Sequence, residues 1–195
     1  LFSCAFLALS ACATGAETMN YQNWLLQRNL PLPTQESFPN CYGNGCHRIA
    51  TLSLSFADRA DLDALFTPPS RDAREERTRI EQAIGLLERK TGAITGTTDD
   101  VAGTFGSFGP TQTDCVDEAT NSTVYLSLIE QRGHLLFHTI RGPAVRLPIL
   151  SGTGWPHTTA VITETATGQD YAVDSWFEDG GKPAHVVPLD AWKHG

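Results

Sequence analysis

The chain has 195 residues, 41% of them hydrophobic and 18% charged, the proportions of a chain that folds rather than of a disordered one. A formal net charge of -8 and a sequence pI near 5.1 leave no basic surface to neutralise phosphates, which argues against nucleic acid and anionic membrane surfaces as partners. This length suits one compact core and is short for two, so residues 14–195 read as a single domain.

Leu1 to Ala13 form an apolar run too short to span a bilayer but long enough for the core of a signal peptide. With neither Met nor a basic segment before it, residues 1–13 read as a truncated leader. Leu9-Ser10-Ala11-Cys12 resembles a bacterial lipobox and makes Cys12 the candidate lipidation site, while Ala11 and Ala13 also fit ordinary cleavage after Ala13. Either route predicts export to the periplasm or outer envelope, with membrane contact only through an N-terminal lipid anchor. Of five cysteines, Cys4 and Cys12 then belong to the leader. Cys41 and Cys46 are close enough to pair as a disulfide in an oxidising compartment, leaving Cys115 as an odd thiol.

Along the chain, Asn20 to Asn29 reads as a short helix that Pro31 and Pro33 terminate. Asn40 to His47 is turn-rich and leads into Thr51 to Phe56, whose alternation predicts a half-buried strand. From Asp72, with Glu75 completing a capping box, Ala73, Ile80, Ala83, Ile84 and Leu87 recur at helical spacing to about Thr91-Gly92. Thr95 to Pro110 is a Gly, Thr and Ser-rich loop. Val116, Ala119, Thr123 and Leu126 share one helix face, widened by Tyr125, Leu128 and Ile129, so Asp114 to Gln131 predicts a buried helix ended at Gly133 with Cys115 at its N-terminus. Leu135 to Ile140, Thr158 to Glu164, Tyr171 to Trp176 and His185 to Val187 read as strands. A mainly helical first half followed by an antiparallel sheet is an α+β order.

A thiol acts as a nucleophile in its thiolate form, favoured by a helix N-terminus and by a neighbouring imidazolium. Asp114, Asp117 and Glu118 oppose the thiolate at Cys115, so a histidine is needed. A hairpin turning around Thr165 to Gly168 sets His157 opposite Asp174 on one face, with Cβ atoms roughly 4.5 to 5.5 Å apart. Asp174 would then orient the imidazole and stabilise its charged form. His134 and His138 are rival bases whose neighbourhood in sequence offers no carboxylate partner.

Thr113-Asp114-Cys115 opening a helix, Pro156-His157-Thr158-Thr159-Ala160-Val161 opening a strand, and Tyr171-Ala172-Val173-Asp174-Ser175 ending the next resemble the three core motifs of the transglutaminase-like superfamily, which includes bacterial transglutaminase-like cysteine proteinases. The resemblance covers Gln112 to Trp176. It implies a papain-like α+β core, with a nucleophile helix packed on an antiparallel β-sheet, and catalytic residues Cys115, His157 and Asp174. Asp114 rather than Gln precedes the Cys and no Trp follows it, a departure from the animal transglutaminases that favours hydrolysis over cross-linking. Such sites often add a side-chain amide to the nucleophile's backbone N–H as oxyanion donor, and Gln112 is the candidate.

The expectation is a cysteine peptidase or amidase acting on peptide or protein side-chain amides, without metal or cofactor. The alternatives are a catalytically silent envelope lipoprotein that binds a partner, and a redox, metal or haem module on Cys41, Cys46 and His47, whose four-residue spacing departs from the usual haem-attachment signature. Trp155 and Trp176, flanking the proposed His and Asp, suit either core packing or shielding of the pair.

Overall fold

The structure is a computed structural model that describes residues 20–104, 109–147 and 156–194. The expectations for Cys4, Cys12 and Trp155 lie outside the described residues.

Five helices and six strands are described: α1 (Tyr21–Gln27), β1 (Phe38–Tyr42), β2 (Arg48–Leu52), α2 (Phe56–Leu65), α3 (Ala73–Thr95), α4 (Cys115–Gln131), β3 (His138–Arg146), β4 (His157–Glu164), β5 (Asp170–Asp174), β6 (His185–Pro188) and α5 (Leu189–His194). β1 and β2 form an antiparallel hairpin, and β3 to β6 form an antiparallel sheet in sequence order. The fold is therefore α+β with antiparallel sheets.

Local chemistry sets the helix ends. The Asp72 carboxylate accepts the Glu75 N–H and caps α3, while the Glu75 carboxylate turns back to the Arg71 N–H at 3.0 Å instead of closing the expected box on the cap residue. α3 runs past Gly92 and stops at Gly96, whose φ of 80° supplies the left-handed residue that ends a helix. At α4 a capping box that was not anticipated is complete and reciprocal: the Asp114 carboxylate accepts from Val116 and Asp117, and the Asp117 carboxylate accepts the Asp114 N–H at 3.3 Å.

Other boundaries differ from expectation. The turn-rich segment after Asn40 contains the end of β1, because Gly43, Asn44, Gly45 and Cys46, all with positive φ, confine the turn to the hairpin tip. The strand expected over Thr51 to Phe56 lies earlier, at β2, because Ser55 caps a helix that begins at Phe56. β3 starts at His138 rather than Leu135. It is an edge strand, where Pro143, lacking an N–H, sits at the register shift between Arg141 and Ala144. β5 ends at Asp174, so Trp176 lies beyond the sheet, and α5 was not anticipated.

Both faces of the larger sheet are covered. Ala160, Ile162 and Val173 join Val124, Leu128 and Ile129 of α4 in the main core, whereas Val161 and Ala172 pack with Leu189 and Trp192 of α5. This explains why β4 is buried from His157 through Ile162 instead of alternating. The main core draws on elements from α1 to β6. No helix among the described residues is long and apolar enough to cross a membrane.

Candidate active site

The N-terminus of α4, with Cys115, packs against β4, at whose start His157 pairs with Asp174 on the sheet face covered by α5. Cys115 is the first residue of α4, free, and 5% exposed. Burial pushes the thiol up to about 11. The Thr158 N–H opposes this, and the carboxylates of Asp114, Asp174 and Glu118 add to it.

His157 is buried and donates or accepts through Nε2 at 2.7 Å from Asp174 Oδ2. The expected partnership is present, but the register differs. Ala160 opposes Val173, which extended by one residue sets Asp174 opposite Thr159, so His157 reaches its carboxylate along the diagonal of the ladder. The shift keeps both side chains on the same face because it equals two residues. Trp192 Nε1 donates to the same oxygen at 2.6 Å, and the Trp176 N–H reaches Oδ1 at 3.3 Å. With His157 Nε2 and Trp192 Nε1 both on Oδ2, the side chain is fixed in place.

The other imidazole nitrogen, Nδ1, is buried and has no hydrogen-bond partner among the described residues, Cys115 Sγ included. The ring lies among Trp176, Phe177 and Trp192, with centroids 4.5, 5.2 and 5.5 Å away. Trp176 thus shields the His–Asp pair, and its Nε1 donates to the Thr104 carbonyl at 3.0 Å.

Gln112 is placed differently from expectation. Its amide nitrogen donates to the Asp99 carbonyl at 3.1 Å, and its oxygen accepts from the Val101 N–H and the Thr104 hydroxyl. Gln112 braces the 99–104 loop rather than offering its N–H groups to the thiol. The Cys115 backbone N–H, which the Asp114 cap does not use, is the donor at hand.

His134 and His138 do have carboxylate partners, contrary to the expectation from sequence. His134 Nε2 lies 2.7 Å from Asp63, and His138 Nδ1 lies 2.8 Å from Glu76, whose carboxylate also accepts the Leu136 and Phe137 N–H groups. Arg77 bridges His138 to Glu164. These contacts join α2 and α3 to the segment entering β3, with no thiol nearby, and so act as ties between elements.

Cys41 and Cys46 form the expected disulfide, Cα atoms 4.6 Å apart. Their sulfurs lie within 4.8 Å of the Asp117 carboxylate, a ligand-like grouping. Both sulfurs are consumed in the disulfide, however, and the carboxylate accepts the Asn44 and Cys46 N–H groups at 2.8 and 2.5 Å. Asn121 adds two bonds to the Cys41 backbone. The hairpin is thereby clasped to the first two turns of α4. Beneath the site, Glu118 accepts from the Thr113 and Ser175 hydroxyls, both at 3.0 Å, and Asp100 accepts the Thr113 N–H at 2.8 Å.

Sequence reasoning missed Trp192, Ser175 and Glu118 as parts of the site. Nothing in a short C-terminal segment marks one Trp as the partner of a carboxylate 18 residues earlier. Compared with known proteins, the chain matches no family model, no curated protein and no solved structure.

Proposed function

We propose that the protein is a thiol-dependent acyl-transfer enzyme, a cysteine peptidase or amidase with Cys115 as nucleophile, His157 as acid and base, and Asp174 as the residue that orients His157. The observation that carries this is the state of the imidazole: Nε2 is anchored on a doubly bonded carboxylate while Nδ1 is buried without a partner among the described residues, at the start of the strand that α4, the helix begun by Cys115, packs against. Leaving a buried ring nitrogen unpaired costs about 1–3 kcal/mol, a cost that a proton-accepting role accounts for.

Losing the thiol proton to solvent would leave a buried charge, and one beside three carboxylates, which is why the thiol is pushed up to about 11. Passing it to Nδ1 leaves the net charge unchanged and creates an imidazolium facing Asp174. Sγ would then attack the amide carbonyl, with the Cys115 N–H supporting the developing oxyanion. The imidazolium would protonate the leaving amine, and the neutral ring would activate water to cleave the acyl-enzyme. Apo geometries often leave catalytic hydrogen bonds unformed, which accommodates the missing Sγ–Nδ1 contact.

The helix-on-sheet arrangement with Cys, His and Asp in that chain order supports membership of the transglutaminase-like, papain-like group, and export with an anchor at Cys12 remains part of the proposal. The elevated thiol favours one rival, a silent binding protein of the same fold with an inert Cys115. An activated ester separates them. With p-nitrophenyl acetate, the enzyme reading predicts a burst of p-nitrophenolate and an acetyl adduct on Cys115 by intact mass, both lost in Cys115→Ala. A burst that survives Cys115→Ala overturns it.

A further inference from the structure

Beside His157 sits a buried cation with no counter-ion among the described residues. Arg146 is 6% exposed, yet among the described residues its guanidinium makes one hydrogen bond, from Nη1 to the Trp192 carbonyl at 2.7 Å, and its buried Nε has no partner. Among the described residues no carboxylate forms an ion pair with it, whereas Arg71, Arg77, Arg79, Arg132 and Arg141 each have one. Buried charges are ordinarily paired, because desolvating a lone ion costs several kcal/mol.

Its position ties it to the site. Arg146 is the ladder partner of His157 across β3 and β4, so the two side chains leave the sheet on the same face. Its guanidinium carbon lies 4.8 Å from the Trp192 ring and 5.6 Å from the Phe177 ring, the same two rings that flank the imidazole. Asp174 cannot serve it, since Oδ2 is already taken by His157 and Trp192. Phe177, 43% exposed, forms the outer wall.

We propose that Arg146 is a carboxylate-binding residue of the Cys115 site, selecting substrates that carry a carboxylate beside the amide to be cleaved. The proposal rests on the thiol acyl-transfer reading and narrows its substrate class to acidic amides. Arg is suited to the task, since a carboxylate can bridge Nε and a terminal nitrogen in the fork geometry that the unpartnered Nε leaves open.

The test uses iodoacetate and iodoacetamide, reagents of nearly equal size in which Sγ displaces iodide from the same CH2 group. Free thiols react faster with the neutral reagent. At Cys115 the ratio of iodoacetate to iodoacetamide rates should exceed that of glutathione by about tenfold or more, through a charge-assisted contact. Arg146→Gln, with its iodoacetate rate normalised to its own iodoacetamide rate, should return the ratio to the glutathione value, and Arg146→Lys should retain part of the preference. In the unmodified protein, protection of Cys115 from iodoacetamide by acetyl-dialanine, but not by its amide, would identify a C-terminal carboxylate as the ligand. Protection by acetyl-alanyl-glutamate amide, but not by its glutamine counterpart, would identify an acidic side chain, and protection by neither acid overturns the proposal. A glutathione-like ratio with normal iodoacetamide labelling overturns the role of Arg146 and spares the thiol reading. No labelling of folded protein by either reagent overturns both.

Discussion

Asp174→Asn keeps the shape of the side chain on which His157 rests and removes its charge. An Asn oxygen in place of Oδ2 can still accept from His157 Nε2 and Trp192 Nε1, now at 2.7 and 2.6 Å, so the ring keeps its orientation. What disappears is the attraction between the carboxylate and the imidazolium formed when Nδ1 takes the thiol proton. Charges ~4 Å apart attract by about 4 kcal/mol at an effective dielectric of ~20, a value suited to buried protein sites. At 1.4 kcal/mol per factor of ten, acylation of Cys115 should slow about a thousandfold. The assay is the p-nitrophenyl acetate burst at neutral pH under single-turnover conditions, with a thermal melt showing that the variant is folded. Trp192→Phe, which removes one charge-assisted hydrogen bond worth about 1.5–3 kcal/mol, should fall between the parent and Asp174→Asn. A folded Asp174→Asn protein that acylates at the parental rate would refute the electrostatic role given to Asp174.

Opening the disulfide through a Cys41→Ser, Cys46→Ser double change should cost roughly 2 kcal/mol for so short a loop, read as a fall in Tm, and an unchanged Tm would show that the hydrogen bonds of Asp117 and Asn121 hold the hairpin alone. Burial raises the Glu88 and Glu118 carboxyls, with repulsion from Asp100 adding to both and from Glu88 adding to Glu118, and takes Glu88 to about 7. A folded value above the unfolded one means that the fold prefers the protonated form, so this contribution to stability is complete below about pH 4.5 and is lost as pH rises through about 7. Tm should therefore decline across that window, and Glu118→Gln, neutral throughout, should flatten the decline; an equally steep slope in the variant contradicts the assignment. Gly85 lies where α3 passes the 181–182 segment, and a Cβ there would collide with the Lys182 carbonyl oxygen. Gly85→Ala should destabilise by about 1–3 kcal/mol in a denaturant melt, despite the higher helix propensity of Ala.

What could be read from the sequence is what local chemistry controls. The α4 cap at Asp114, the stripe from Val116 to Ile129 and the turn near Gly168 are each specified within a few residues, and they place Cys115 at a helix start and His157 and Asp174 on one sheet face. The diagonal register was not legible, because a shift of two residues leaves the face pattern unchanged. Gln112 was misassigned for a related reason. Proximity in sequence put its amide near the thiol, while the loop residues Asp99, Val101 and Thr104 claim it in space. The carboxylates facing His134 and His138 come from α2 and α3, 71 and 62 residues away, beyond the reach of any local pattern. Phe56 looked like the end of a strand because it closes an alternating run, yet the Ser55 cap decides the local structure and leaves Phe56 83% exposed.

The central claim is that a thiol burdened by burial and neighbouring carboxylates becomes reactive by handing its proton to His157 Nδ1. The most direct measurement is the pH dependence of iodoacetamide alkylation of Cys115, followed by intact mass, in the parent and in His157→Ala. Alkylation well below the free-thiol value of about 8.5 in the parent, abolished in the variant, is the predicted result. Slow alkylation in both proteins, rising only at strongly alkaline pH, would contradict it and leave Cys115 an inert core thiol.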